Sequence, residues 1–150
     1  MARLTPDELV DAIPDLLTPQ SLSGLRDSVE THRDAWGIPH IKATDEWDLF
    51  FAQGFVTAQD RLWHMDADRY RALGRWSEFV GESGLAQDRL LRAAGMGRSS
   101  KLDYDVASDK AKAMVDAYTA GVNAFIASDQ PLPVEYGILG LTPEKWENWH

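Results

Sequence analysis

Arg33-Asp34-Ala35-Trp36-Gly37-Ile38-Pro39-His40-Ile41, followed by Phe51-Ala52-Gln53-Gly54-Phe55-Val56-Thr57-Ala58-Gln59-Asp60-Arg61-Leu62-Trp63-His64-Met65, decides how this chain folds. The first stretch lies in a segment that alternates Val29 and Thr31 with Glu30 and His32. It resumes as a short apolar run from Ile38 to Ala43 beyond the Asp34-Ala35-Trp36-Gly37 turn. Period two on both sides of a turn predicts a β-hairpin. After Thr44-Asp45 the period changes to three or four, with Trp47, Phe51, Phe55, Ala58, Leu62 and Met65 on one stripe. Asp45, Glu46 and Asp48 stand where the positive end of a helix dipole favours acids, so a long helix is predicted over about residues 46–70. Gly54 inside it costs roughly 1 kcal/mol relative to alanine, which makes sense if another backbone packs closely there.

Outward from this centre the signals are shorter. Thr5-Pro6-Asp7-Glu8 is an N-cap, a proline at the first helical position and an acid placed for a capping box, and it predicts a short leader helix with Leu9, Val10, Ile13, Leu16 and Leu17 on one face. Pro14 and Pro19 kink or end it, leaving a surface strap over residues 1–26. Beyond the long helix, Leu73-Gly74-Arg75-Trp76 interrupts the pattern before a short helix to Val80, and a loop from Gly81 to Gly84 leads to another from Gln87 to Ala94, ended by Gly95-Met96-Gly97. Ser108 caps a helix to about Ala127, striped by Ala111, Met114, Val115, Tyr118, Val122, Phe125 and Ile126 and stopped by Pro131 and Pro133. Thr142-Pro143-Glu144 reads as one more helix start, eight residues before the last, as if the chain ended ahead of its next element.

Composition bounds the function. A chain of 150 residues supports one core and removes roughly 70% of its unfolded surface from water. With 44% apolar residues and mixed charges it is a folded type rather than a disordered one. Its net charge of -9 opposes binding to a phosphate backbone, so nucleic acid is not an expected partner. The absence of cysteine excludes disulfides, thiolate metal sites and cysteine nucleophiles. The acidic start lacks the basic-then-apolar pattern of an export signal, and no apolar run approaches a membrane span. A cytoplasmic chain without membrane contact is the direct expectation.

Taken in order and at their spacing, several blocks resemble the penicillin acylase family of N-terminal-nucleophile amidases. These are Arg33-Asp34-x-Trp36-Gly37-Ile38-Pro39-His40-Ile41, the run from Asp48-Leu49-Phe50 to Met65-Asp66, and Ala72-x-Gly74-Arg75-x-x-Glu78-x-x-Gly81. They continue as Ala117-Tyr118-x-x-Gly121-Val122-Asn123-Ala124-Phe125-Ile126, Leu132-Pro133-x-Glu135-Tyr136-x-x-Leu139-Gly140 and Pro143-Glu144-x-Trp146. The likeness runs from about residue 27 to 149 and implies two parts, the leader 1–26 and a short-chain (alpha-subunit) region 27–150, truncated at its C-terminus.

The resemblance implies an α+β chain, mainly helical with a short hairpin, forming part of a four-layer αββα sandwich whose sheets belong largely to a second, long (beta) chain of the same precursor. It implies hydrolysis of the amide bond of an N-acylated small molecule such as a β-lactam, an acyl homoserine lactone or a lipopeptide. The nucleophile is implied to open the long chain in a Ser-Asn-x-Trp-like sequence, and no Ser-Asn pair occurs here; removing Met1 would expose only Ala2. Acyl-pocket residues and a structural calcium site are implied for the helix after Pro-Glu-x-Trp, in the complete enzyme. For this chain we therefore expect no catalytic residue, no cofactor and no metal ligand, and no activity in isolation. Relatives are commonly exported, so a periplasmic or secreted location is the alternative to a cytoplasmic one. A non-catalytic helical interaction module, or a fragment of a decayed acylase gene, is the alternative function. The broad apolar faces of the helices at 47–65 and 111–126 lead us to expect an isolated chain that is oligomeric or molten.

Two rival sites carry chemistry-bearing residues. Asp60, His64 and Asp68 lie at i, i+4 and i+8, where two carboxylates and an imidazole can bind a divalent metal. A solvated face with Arg61, Arg69 and Arg71 at hand for ion pairs is the plainer reading. His40 after Pro39 has the pKa range of a general base, but a histidine at a hairpin more often bonds a neighbouring loop. No Gly-x-Ser-x-Gly elbow supports a serine triad.

Overall fold

The computed structural model describes residues 5–150. In chain order it holds α1 (Pro6–Asp11), β1 (Glu30–Arg33), β2 (Pro39–Lys42), α2 (Glu46–Ala72), α3 (Ser77–Val80), a 3-10 turn (Gly81–Gly84), α4 (Leu85–Ala94), α5 (Met96–Val106), α6 (Asp109–Ile126) and α7 (Val134–Leu139). The hairpin and the long helix stand where the sequence places them. β1 and β2 pair antiparallel with Glu30 opposite Lys42 and His32 opposite His40. Gly37 closes the turn at φ +77°, a conformation that a side chain resists.

The core lies where α6 crosses α2. Phe51, Leu62, Val122 and Phe125 are fully buried there, and the Phe55 and Phe125 rings meet edge to face at 5.7 Å. Close approach of the two helices is made possible by Gly54 on α2 and Gly121 on α6. Asp45 caps α2 by accepting from the Asp48 N–H at 2.9 Å, and Ser108 caps α6 by accepting from the Ala111 N–H at 3.2 Å. Midway, Arg61 leaves helical geometry (φ -144°, ψ 16°) and kinks α2. The first half thus serves α6 and the hairpin, while the second carries Asp66 and Arg69 to the C-terminal segment.

The leader runs as a strap tied by polar contacts and by Leu22, which packs against the core, rather than by the apolar side chains of its first half. Asp15 bonds Gln130 and Gln59, the Trp47 indole donates to the Gly24 carbonyl, and buried Asp48 accepts from the Arg26 and Asp27 N–H groups at 2.9 Å each. Leu9, Val10, Ile13, Leu16 and Leu17 are all exposed, so the helical face expected of them is not buried by the described residues.

Three local expectations are corrected. Gly95, at φ +74°, does end α4, but the chain re-enters a helix at once as α5, which the sequence did not announce because α5 has no buried residue and hence no stripe. Residues 134–139 form α7 between the prolines and Gly140. Thr142-Pro143-Glu144 does not start a helix. The carbonyls of Glu144 and Lys145 accept from the Arg69 guanidinium, and the Trp146 N–H donates to Asn123, so that stretch is held out of a helix by side chains far away in sequence.

Candidate functional site

The second half of α2 builds a buried polar cluster. Asp66 and Arg69 are three residues apart on one helical face and pair at 2.9 Å, with side chains only 1% and 3% exposed. Asp66 is filled on both oxygens. One accepts from the Tyr136 hydroxyl of α7 at 2.5 Å, and the other from the Trp146 indole at 2.9 Å and from Arg69. Burial pushes the Asp66 carboxyl above its ordinary range against the pull of Tyr136, Arg69 and Trp146. Burial, and after it Asp66, pushes the Tyr136 phenol upward, which keeps that hydroxyl a donor.

Arg69 reaches the other way. Its guanidinium donates to the carbonyls of Glu144 at 3.3 Å and Lys145 at 3.2 Å, lies 3.3 Å from His150 Nδ1, and covers the Trp146 ring at 4.7 Å. Asn123 of α6 pairs with Trp146 as a strand would, donating to its carbonyl at 2.9 Å and accepting its N–H at 2.8 Å. Arg75 makes forked bonds to Glu78 and Glu144, and the Arg75 hydrogen bonds lower the Glu144 carboxyl to about 2. Tyr104 on α5 donates to Asp116 at 2.7 Å and receives a bond from Asn148 at 3.4 Å.

This cluster is a clamp on residues 144–150, not a set of reacting groups. Asp66 and Arg69 are buried, paired with each other and bonded to groups of the fold, so neither faces an open space that a substrate could enter. Sequence reasoning missed it. Met65-Asp66, Asn123, Tyr136 and Trp146 all stand inside the blocks quoted above, yet their spacing carries no signal that they meet.

The rival sites come apart. Asp60 is turned by the α2 kink toward the hairpin, where Arg33 forks onto it at 2.8 and 2.9 Å. His64 faces Asp68 at 3.4 Å on an open surface, and Asp68 also pairs with Arg71. Among the described residues no three His, Cys, Asp or Glu side chains are grouped to hold a metal ion. These residues do not fit a calcium site. His40 lies 3.3 Å from Asp34, whose carboxylate also accepts the Trp36 and Ile38 N–H groups. That is the loop-bonding role the plainer reading gave it.

Beside the hairpin lies an open, mainly apolar groove of about 480 Å³ between β2 and the first half of α2. None of its lining residues carries a formal charge.

The model of the penicillin amidase family matches residues 28–150. The chain belongs to the penicillin amidase family. Among the relatives of this family member, the penicillin acylase 2 proenzyme of Pseudomonas sp. strain SE83 is 48% identical over 99% of the chain. The acyl-homoserine lactone acylase QuiP of Pseudomonas putida is 36% identical over 91% of it. The chain spans only 19% and 17% of those two proteins. The fold matches a thermostable penicillin G acylase from Alcaligenes faecalis with a TM-score of 0.72 at 27% identity, covering 81% of this chain and 67% of that one. This chain's mainly helical fold with one antiparallel hairpin is therefore similar to that of a penicillin G acylase. No described helix is long and apolar enough to cross a membrane.

Proposed function

We propose that this chain is the short-chain portion of a penicillin-acylase-type enzyme that hydrolyses the amide bond of an N-acylated small molecule, with the nucleophile on a long chain of the same precursor. One observation carries the reading: the chain matches a family of amidases along residues 28–150 while spanning about a fifth of its proenzyme relative. In this reading the buried Asp66–Arg69 cluster holds the fold and the reacting groups belong to the long chain. Leader and short-chain region divide near residue 27.

In such an enzyme a serine hydroxyl at the start of the long chain attacks the amide carbonyl, and the free α-amine of the same residue takes the proton. The C–N bond breaks as that proton passes to the leaving amine, and water then cleaves the acyl ester, releasing the acid and restoring the serine. Oxyanion donors hold the tetrahedral intermediates. The short chain contributes the folded platform on which the second chain closes. Substrates of the β-lactam or acyl-homoserine-lactone type are proposed because the relatives bear those names.

The test joins this chain to the remainder of the related Pseudomonas proenzyme and offers phenylacetyl, acyl-homoserine-lactone and long-acyl amides. Hydrolysis of at least one by the joined protein, and of none by the chain alone, is the expected result. A folded joined protein that cleaves none would favour the non-catalytic helical module or a decayed gene.

A further inference from the structure

Two exposed surfaces of the chain complement each other in charge and share an apolar content, and the amidase reading gives neither a role. The leader carries Asp7, Glu8, Asp11 and Asp15 and no basic residue between 5 and 25. Val10, Ile13 and Leu17 are more than half exposed along the same strap. α4 and α5 are the reverse in charge: from 89 to 101 they hold Arg89, Arg92, Arg98 and Lys101 and no acid, in a chain whose net charge is -9. Leu90, Leu102 and Val106 are more than half exposed on those two helices. On α5, Arg98, Leu102 and Val106 are spaced i, i+4 and i+8, which lines one cation and two apolar side chains along one helix face.

The charges that matter are free to meet a partner. Asp7, Asp11, Arg89 and Arg98 are exposed, and none forms an ion pair with another described residue. Within one copy the leader is fixed to other elements: the Asp15 N–H donates to Gln130, beyond α6, and the Asp15 carbonyl accepts from Gln59 of α2. An acidic strap is repelled by most of an acidic protein, so a basic stretch with apolar side chains beside it is a selective target. Such a stretch stands on every other copy of this chain.

We propose that the leader of one copy lies across α4 and α5 of a second copy, exchanged in both directions so that two copies close as a dimer. Burial of the apolar side chains supplies the affinity. The acids of the leader against Arg89 and Arg98 set the orientation, and they disfavour leader-on-leader and helix-on-helix contacts, where like charges would meet. Two-fold exchange uses each surface once per copy and leaves neither open. The contact concerns faces of this chain alone and does not depend on the amidase reading.

The experiment is sedimentation of the joined protein carrying Asp7→Lys with Asp11→Lys, or Arg89→Glu with Arg98→Glu, or all four changes. The unsubstituted protein should dimerise, and either pair of changes alone should weaken the dimer about tenfold or more. All four together should restore it, because the charges are exchanged rather than lost. An equimolar mixture of the two singly reversed proteins should also dimerise, in unlike pairs, since the reversed leader then meets the reversed helices and the unreversed leader the unreversed ones. An unsubstituted protein that stays monomeric at every concentration overturns the proposal. So does a dimer that neither reversal weakens, which would place the contact on another face, or a weakening that neither the fourfold change nor mixing repairs, which would mark damage to a surface rather than a lost contact. Hydrolysis of acyl amides by the same protein is scored separately, so the dimer and the amidase reading stand or fall independently. Should the two parts fail to join, which counts against the amidase reading alone, the same changes are compared in the association of the 150-residue chain.

Discussion

Gly54 and Gly121 face each other's helices reciprocally: a Cβ on Gly54 would fall on the Tyr118 carbonyl of α6, and one on Gly121 on the Phe51 carbonyl of α2. The obstacle in each case is main chain, which cannot rotate aside as a side chain does. Gly54→Ala and Gly121→Ala should therefore each cost about 2–3 kcal/mol or more, despite alanine's better helix propensity. Gly137, with nothing within 4 Å of its would-be Cβ, is the control. Gly137→Ala in α7 should gain about 0.5–1 kcal/mol. Urea unfolding of the three variants checks the ordering.

The clamp predicts a contrast between two arginines two residues apart. Arg69→Met leaves the Asp66 carboxylate buried without its cation and frees the Glu144 and Lys145 carbonyls, so a loss of about 3–5 kcal/mol is expected. Arg71, paired with Asp68 on the surface, should lose no more than about 1 kcal/mol on the same change. Equal effects in denaturant titrations would show that the clamp carries no special weight. The double change Asp66→Leu with Arg69→Met should cost less than Arg69→Met alone, because no buried charge remains.

Acid should loosen the C-terminal segment in two steps of different origin. Burial, and after it the Arg69 cation, lowers His150 from 6.5 to about 4, and its Nδ1 accepts the Glu147 N–H at 2.9 Å, which needs a neutral ring. The unfolded chain takes up this proton near 6.5 and the folded one only near 4. The contribution of His150 is thus whole above 6.5, declines as pH falls and is gone below about 4. Glu144, lowered from 4.5 to about 2 by Arg75, keeps its contribution down to about 4.5 and loses it only as pH falls toward 2. Hydrogen exchange at residues 144–150 against pH should show the upper step abolished by His150→Ala and the lower one by Arg75→Met. A pH-independent segment would contradict both.

What the sequence made legible follows from where each signal lives. The hairpin turn at 34–37, the acids that open α2 and the cap at Ser108 are local, and α2 was bounded within two residues at its far end. Gly54 was legible as a close approach, though not its counterpart Gly121. α5 was silent because it buries nothing, and Thr142-Pro143-Glu144 misled because its helix signal is overruled by Arg69 and Asn123, which lie 20 or more residues away. The clamp needed the fold before Asp66, Tyr136 and Trp146 could be seen as neighbours. The family blocks named these residues without revealing their purpose.

Without a long chain, this chain should not remain a single dissolved species. Phe51, Leu62, Val122 and Phe125 close a small core, but Leu17, Leu90, Leu102 and Val106 are more than half exposed, and the β2 groove stays open. Each apolar patch left wet forgoes about 25 cal/mol per Å² that association would recover. The surfaces lie on the leader, on α4 and α5, and beside the hairpin, so no single dimer contact covers them all, and association should be heterogeneous rather than a clean dimer. Sedimentation of residues 1–150 should give concentration-dependent species that bind a hydrophobic dye, and joining the remainder of the precursor should yield one species with the dye signal largely lost. A dye-silent monomer with a sharp, cooperative melt would show that the core at the α2–α6 crossing suffices alone, which is the behaviour of a free-standing helical module.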